Sequence, residues 1–543
     1  MKVWLTKNLN FNFSKLLSIV LVLFAALLFG LANPNIINAT GFSFLAFIYF
    51  VPVFIAIFKN SYKSNYILGF IYGFFSYAIY GYWLKTYGVF VKIFLFSCYG
   101  FFWGCLFIIL NFVITHFKKY SYIVLLFVII SFEYLKTKGF FGFGYGITGY
   151  TQWQNLSLIQ IADVFGVFGV SAIVIFPSCL IFEFYKRYKN HSCIGKDLFI
   201  STILWIIILI LSFIYGKTKI SKIQNCKIQE NVSVALIQNN EDPFGNGFEH
   251  YRNSIQKLIT LTNYALENQN DIDIVVWPET AVVPSFNHYY AEDNSNRKMM
   301  ITALVNYFQS KNCNFVIGNA FSTGSKNYNS ALFFKNKQNI EPPRPEVYSK
   351  TKLVPFSEYL PFGVKSQFLE NKFNFHFWDK GENVLVFEDK TFSFGTPICF
   401  EDTFDYVCRK MNRLGADVFV NVINDSWGKS LVCQNQHLAM GVFRAVENKI
   451  PSVRCASTGQ TCYVSAYGKV ENLIEPFAES YGYYKVPVYE VKETTVFSVV
   501  GNFFSVLILI ICLILLLNKS IFVIMNKVGK WWQKLLKRKI LQF

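Results

Sequence analysis

Thr396-Pro397-Ile398-Cys399-Phe400-Glu401-Asp402 sets a cysteine directly after an apolar-rich run, Val384 to Phe394, that reads as a strand. Two upstream stretches give it company. Val275-Val276-Trp277-Pro278-Glu279-Thr280 ends a strand-like run on a carboxylate, and Tyr348-Ser349-Lys350-Thr351-Lys352-Leu353-Val354-Pro355-Phe356 ends another on an ammonium. A carboxylate, an ammonium and a thiol in that order, each at a strand end, point to covalent catalysis. A free thiol is mostly protonated near neutral pH, so a base or a positive field must favour the thiolate. Glu279 is placed to take the proton and return it to a leaving group. Lys350 adds positive charge that lowers the thiol pKa and stabilises an oxyanion. Singly, each has a bland reading: a small core cysteine, a Trp-Pro-Glu turn, a solvated lysine. Their joint appearance outweighs those readings.

The segment around them reads as an α/β layered domain. Val232 to Gln238, Asp273 to Trp277, Asn314 to Gly318, Ser330 to Phe334 and Asp417 to Val422 have strand character. Residues 250–268 and 435–449 have helical spacing.

The rest of the chain is of another kind. The 543 residues are 53% hydrophobic and only 15% charged, against about 25% charged in ordinary soluble domains. Eight apolar stretches, about 16–32, 41–58, 65–84, 93–116, 121–135, 158–184, 197–216 and 496–517, are read as helices crossing a ~30 Å hydrocarbon core. This divides the chain into a seven-span domain 1–216, a catalytic domain 217–495, an eighth span 496–517 and a basic tail 518–543. The net charge of +18 does not signal nucleic acid, because much of it lies in short segments between apolar runs. Lys2, Lys7 and Lys15, Lys59 and Lys63, Lys118 and Lys119, Lys186, Arg187, Lys189 and Lys196 fall on one side, joined by the tail from Lys519 to Lys539. The positive-inside rule puts that side and both termini in the cytoplasm, and 217–495 outside. A cleaved leader ending near Asn38-Ala39 is the rival reading of the N-terminus.

Twelve cysteines offer no CxxC pair or Cys/His cluster with zinc spacing, so no metal is expected. Cys455 and Cys462 form a candidate disulfide pair in an oxidising compartment. Glu133 and Asp163 lie within or beside spans, where ionisable groups are costly and often functional.

These motifs together resemble the apolipoprotein N-acyltransferase family, the membrane-embedded branch of the nitrilase or carbon-nitrogen hydrolase superfamily, along nearly the whole chain. The resemblance implies a membrane α-helical bundle of eight spans plus an α-β-β-α nitrilase-like sandwich. It implies Glu279 as general base and acid, Lys350 as the triad lysine and Cys399 as nucleophile. Glu358 matches a second glutamate near the site, and Glu401 the acidic residue two after the nucleophile. Asn424-Asp425-Ser426-Trp427-Gly428, Gln436-His437 and Arg444-Ala445-Val446-Glu447 match a strongly marked family stretch. Phe143 to Tyr145, Gly149 to Gln152 and Ile161 to Gly166 resemble the outer loop after span five. The chain departs from the family in three places. Phe400 stands where Tyr is usual. The Trp expected shortly after Gln238 is missing, and Phe248 is the candidate stand-in. The Arg expected before the last span is absent from Thr495 to Gly501.

The implied activity is ping-pong acyl transfer in the bacterial inner membrane, with the catalytic domain periplasmic. A phospholipid donates an acyl chain to Cys399, and the α-amine of a diacylated lipoprotein's N-terminal cysteine accepts it. No cofactor, metal or nucleic acid is implied, and a monomer is expected. The alternative in the same chemistry is a membrane-tethered nitrilase-type amidase.

Overall fold

Alternation of apolar residues builds the catalytic half in layers. In the computed structural model, which describes residues 2–540 apart from 59, 141, 244, 294 and 361–376, twelve strands form two six-stranded sheets. Lys59, used above for orientation, lies outside the described residues. The strands are β1 (Ile228–Gln238), β2 (Ile274–Val282), β3 (Asn314–Thr323), β4 (Lys326–Phe334), β5 (Glu346–Ser349), β6 (Phe387–Glu388), β7 (Ser393–Gly395), β8 (Val418–Ile423), β9 (Ser452–Ala456), β10 (Cys462–Val464), β11 (Val470–Glu471) and β12 (Ser480–Tyr489). One sheet runs β12-β1-β2-β3-β4-β5 and the other β11-β10-β9-β8-β7-β6. β1, β2 and β3 pair parallel, as do β7, β8 and β9.

Fourteen helices are named in chain order. They are α1 (Lys2–Ala32), α2 (Phe50–Ile57), α3 (Tyr62–Tyr80), α4 (Val89–His116), α5 (Ser121–Leu135), α6 (Leu156–Ile159), α7 (Ala162–Lys189), α8 (Lys196–Gln224), α9 (Phe248–Asn268), α10 (Asn296–Gln309), α11 (Asp405–Arg413), α12 (Leu431–Asn448), α13 (Val496–Val500) and α14 (Phe503–Ile540).

Successive side chains of a strand face opposite ways, and the two cores follow that rule. Val234, Leu236, Val276 and Val316 join the second sheet's Val420, Val422 and Val453. Their sequence neighbours Ala235, Ile237, Val275 and Phe315 pack with Leu258 of α9 and Ile301 and Leu304 of α10. Val407 and Met411 of α11 and Leu438 and Val442 of α12 cover the outer face of the second sheet. The order is therefore helix, sheet, sheet, helix, as expected. Every residue of β8 is buried, consistent with cover on both faces.

The run Val384 to Phe394 is not one strand. Asp389-Lys390-Thr391 turns it back, and β6 pairs antiparallel with β7. Cys455 and Cys462 are free thiols rather than a disulfide. Cys455 instead donates to the carbonyls of Ile237 and Val276 at 3.4 and 3.2 Å, stitching one sheet to the other.

Among the described residues, five helices are long and apolar enough to cross a membrane: residues 14–32 of α1, then α4, α7, α8, and residues 503–533 of α14. Two further expected spans, 43–57 and 121–135, are shorter apolar helices. The third, α3, has the length but carries Lys, Asn, Ser and several Tyr among its apolar residues. α1 is packed into the bundle, with Phe29 against Tyr49, Tyr77 and Tyr80. α14 does not stop at the expected 517 but continues through the basic segment to Ile540.

Glu279 is carried on an irregular part of β2, where pairing with β3 slips between Trp277 and Val282. Thr280 there has φ 49°. Gly318 makes room for this feature: a Cβ at 318 would overlap the Pro278 carbonyl oxygen and crowd Glu279 Cα. Gly318→Ala is therefore expected to cost about 1–3 kcal/mol through overpacking and to displace Glu279. A lowered unfolding midpoint together with lost activity checks this; an unchanged midpoint would refute it.

Candidate active site

Three strand ends converge on one cavity. Glu279, Lys350 and Cys399 all line it, with Glu358, Phe400 and Asn424. The sequence placed these far apart, and the two facing sheets bring them together. Lys350 follows β5 and is 1% exposed; Glu279 and Cys399 are each 6% exposed. Lys350 Nζ donates to Glu279 Oε1 at 2.9 Å and Glu358 Oε1 at 2.7 Å. Asn329 Nδ2 donates to Glu279 Oε1 at 2.7 Å, and the Asn424 N–H to Oε2 at 2.9 Å. The Val354 N–H fixes the second oxygen of Glu358 at 2.7 Å. Burial disfavours the Lys350 ammonium, but the charges of Glu279 and Glu358 overcome it and hold the lysine protonated. Burial raises the Glu358 carboxyl, with Lys350 pulling the other way.

Cys399 begins a single 3-10 turn, Cys399–Thr403, with φ 46°. A side-chain-bearing residue at positive φ is uncommon and is held there only by its surroundings. Glu401 supplies that hold. Its carboxylate accepts from the Ile398 N–H at 2.9 Å, the Thr351 N–H and hydroxyl at 2.7 Å each, the Lys352 N–H at 3.1 Å and the Tyr348 hydroxyl at 2.8 Å. Glu401 thus ties the lysine's segment to the cysteine's turn and does not line the cavity.

Burial pushes the Cys399 thiol well above its ordinary pKa, and Glu279 adds to this while Lys350 opposes it. The resting group is the thiol. The arrangement suits removal of its proton by Glu279 during attack, rather than a standing thiolate–lysine pair.

A histidine lies behind the cysteine. His437 Nε2 donates to Asp402 Oδ1 at 2.6 Å and approaches the Cys399 carbonyl at 3.3 Å. Nδ1 donates to both oxygens of Asp425 at 2.9 Å. Asp402 also accepts from Arg454 and, at 2.6 Å, from Asn421. Burial opposes charge on the imidazole, yet the two aspartates raise its pKa to about 10. Burial likewise opposes charge on Asp402, yet His437 and Arg454 bring it down to about 2. Ligand atoms of Cys399, Asp425 and His437 lie within 4.8 Å of one another, a cluster that sequence spacing does not reveal. Its donor set does not suit a metal, because an imidazolium donating from both nitrogens has no lone pair to give. Asp402, Asp425 and His437 each fall in a stretch quoted above, but nothing in their spacing shows that they meet, and Arg454 falls in none of those stretches.

Phe248, the expected stand-in for the missing Trp, packs against the core under α9. His250 and Tyr251 line the cavity instead. Before α14, Arg409 of α11 donates to the Val499 carbonyl at 3.2 Å, so a guanidinium does reach this point, from another element. Phe400 packs edge-on against Phe404 at 5.0 Å and faces Phe143 at 6.3 Å. Glu133 accepts the Thr148 N–H at 2.9 Å, shaping the loop after α5. Asp163 accepts the Tyr215 hydroxyl at 2.8 Å and pairs with Lys219 at 3.3 Å and Lys449 at 3.6 Å, which makes it a joint between the two halves.

Two sheets between helices, with a buried Glu, Lys and Cys at converging strand ends, define a nitrilase-type carbon-nitrogen hydrolase domain. The carbon-nitrogen hydrolase model matches residues 233–495, and the model of the apolipoprotein N-acyltransferase N-terminal domain matches 25–180. Apolipoprotein N-acyltransferase 1 of Treponema denticola is 35% identical over 94% of this chain and 97% of its own length. Apolipoprotein N-acyltransferase 1 of Treponema pallidum is 38% identical over 66% of this chain and 69% of its own. The Borreliella burgdorferi apolipoprotein N-acyltransferase is 30% identical over 91% and 94%. The chain belongs to the apolipoprotein N-acyltransferase family, and with its apolar helices it is a bacterial membrane protein.

Two outcomes follow from the electrostatics. Alkylation of Cys399 by iodoacetamide should keep accelerating past about pH 10, where ordinary thiols with pKa near 8.5 have levelled off; a plateau below pH 8 would mean a resting thiolate. A histidine whose pKa folding raises from about 6.5 to about 10 stabilises fully below pH 6.5 and loses that contribution as pH climbs through 10. His437→Gln, which strands the buried Asp425 and leaves Asp402 to Arg454 and Asn421, should cost about 3–5 kcal/mol near neutrality. Its unfolding midpoint should fall less than the wild type's between pH 7 and 10. Parallel pH curves would contradict the imidazolium.

Proposed function

We propose that this chain moves an acyl chain from a membrane phospholipid to the α-amine of a diacylated lipoprotein's N-terminal cysteine, through a thioester on Cys399. The supporting observation is one cavity of about 1210 Å³ with two unlike walls. One wall holds Glu279, Lys350 and Cys399. The other holds Val91, Phe94, Phe102 and Ile109 of α4 with Leu509, Leu513 and Leu516 of α14. Sites for small polar substrates fill roughly 300–1,000 Å³; this one is larger and continues along apolar helices. A soluble amidase has no use for that second wall.

In this mechanism Glu279 takes the thiol proton as sulfur attacks the ester carbonyl. Lys350 faces the oxyanion. The tetrahedral intermediate collapses, the lysophospholipid oxygen leaves with the proton from Glu279, and the thioester remains. The lipoprotein amine, whose pKa near 7.7–8.0 leaves roughly a tenth to a sixth of it neutral at pH 7, attacks the thioester in that form. Glu279 takes a proton from nitrogen, the carbon–sulfur bond breaks, and the proton returns to sulfur. Glu358 holds the ammonium from the other side, and Glu401 sets the nucleophile's turn. Phe400 forms part of the apolar wall beside the sulfur. No cofactor takes part.

The topology proposed with this reading has eight crossings, both termini in the cytoplasm and residues 217–495 on the periplasmic face. The three weaker crossings then rely on their neighbours. Tyr72 of α3 packs on Trp103 and Phe107 of α4.

Intact-protein mass spectrometry after incubation with phospholipid tests the mechanism. A single acyl mass should appear on Cys399, be absent from Cys399→Ala, and be discharged onto a diacylated lipopeptide amine. Release of free fatty acid to water without amide product would support the amidase instead.

A further inference from the structure

The bundle carries a second cavity of about 510 Å³ at the end away from the triad. It lies between the last turn of α4, the turn leading to α5, the last turn of α7 and the first turn of α8. Its depth is informative. Phe94 lines the triad cavity and Thr115 lines this one, both on α4. The 21 residues between them rise roughly 32 Å, close to the ~30 Å of a hydrocarbon core.

Its charges do not cancel. Arg187 and Lys186 form the buried wall. Lys186 pairs with Glu183 at 2.7 Å, and Arg187 pairs with Glu183 at 3.0 Å and Asp197 at 2.7 Å. Those four groups together are neutral. Lys118 and Lys119 also line the cavity and are exposed. Among the described residues neither forms a salt bridge. Lys519 of α14 sits 5.7 Å from the Phe117 ring, which adds positive charge beside the mouth. Asn190 and Ser192 complete the rim with uncharged donors, and Phe58 and Ile114 give it an apolar edge.

We propose that this cavity binds the phosphate headgroup of an anionic phospholipid. Lys118 and Lys119 face the phosphate charge, and the chains of the lipid run up the bundle from the Phe58 and Ile114 edge. Basic pockets between membrane helices suit such headgroups; Lys119 also lies 5.2 Å over the Tyr120 ring and its charge reaches Asp197, and with Lys118 it leaves the pocket net positive toward a singly charged phosphodiester. This site is separate from the acyl-donor cavity and rests on the topology proposed above.

The exposed Cys193 on the cavity wall is a built-in reporter. In detergent, the full-length protein should show maleimide labelling of Cys193 slowed at least about threefold by phosphatidylglycerol and unchanged by phosphatidylcholine. Lys118→Glu/Lys119→Glu should lose that protection while still forming the Cys399 acyl adduct. Equal protection by both lipids, or protection that survives the double variant, overturns the proposal. Protection by inorganic phosphate equal to that by the lipid would make the ligand a free phosphate and overturn the lipid assignment. Labelling of Cys193 by an impermeant maleimide in intact spheroplasts would overturn the topology alone and leave the Cys399 mechanism to its own test.

Discussion

The structure depends on α12 being buried on every side. Seventeen of its residues, Val432 through Asn448, are inaccessible, and several are polar or charged. A polar group removed from water must be paired or it costs the fold several kcal/mol. Each such group on α12 therefore dictates where something else must sit. His437 fixes Asp402 and Asp425 behind the nucleophile's turn. Gln436 accepts from the Trp83 indole at 2.9 Å and donates to the carbonyls of Pro34 and Tyr80 at 3.1 and 3.0 Å. Arg444 pairs with Glu447 and donates to the Tyr150 hydroxyl at 3.1 Å. Glu447 accepts the Val167 N–H at 3.3 Å, just past the break in α7 at Gly166. One helix thus braces the cysteine on one face and docks the catalytic layers onto the bundle with another. Gly441 is part of the bargain, since a Cβ there would overlap the Arg454 guanidinium.

That docking bears on the chemistry. A thioester near bulk water hydrolyses, so an acyltransferase needs a dry wall beside its sulfur. Here the wall is contributed by the bundle. Phe143 stacks on Tyr145 at 4.5 Å and faces Phe400 beside the cysteine, while Trp83 packs on Trp427 at 5.3 Å. The same dryness raises the thiol pKa and keeps Lys350 and Glu279 in direct contact. The ammonium belongs to the carboxylates at rest, and it faces an oxyanion only when negative charge develops there.

That Glu279, Lys350 and Cys399 belong to one site was legible because each lies in or just after a short apolar run and sits in a distinctive local sequence. The layer order was legible for the same reason: the short apolar runs of β1 to β4, bounded by Gly, Pro, Asn and Asp, are a local signal of buried strands. What escaped was non-local. The aspartate–histidine–arginine network joins residues from four elements and has no spacing to read. Val384 to Phe394 looked like one strand because its apolar residues outnumber the three-residue turn that splits it. Phe248 follows Gln238 within ten residues, where the Trp is expected, but α9 points it into the core and offers Tyr251 to the cavity. Composition marked eight apolar stretches, yet among the described residues 43–57 and 121–135 are shorter apolar helices, held in the bundle by packing.

Phe400 shows how a departure from the family pattern can still be coherent. Its ring meets Phe404 and Phe143, and neither offers a partner to a hydroxyl. A tyrosine there would need its oxygen satisfied in an aromatic environment, at the expense of the wall that shields the thioester. Lys352 lies 4.7 Å from the Phe404 ring and engages that aromatic face. Glu401, one residue on, has its oxygens occupied by the lysine's segment and by Ile398. The turn therefore keeps its geometry without any hydroxyl at 400. The carboxylate clamp orients Cys399, and in the proposed mechanism the ring beside it is left to the acyl chain.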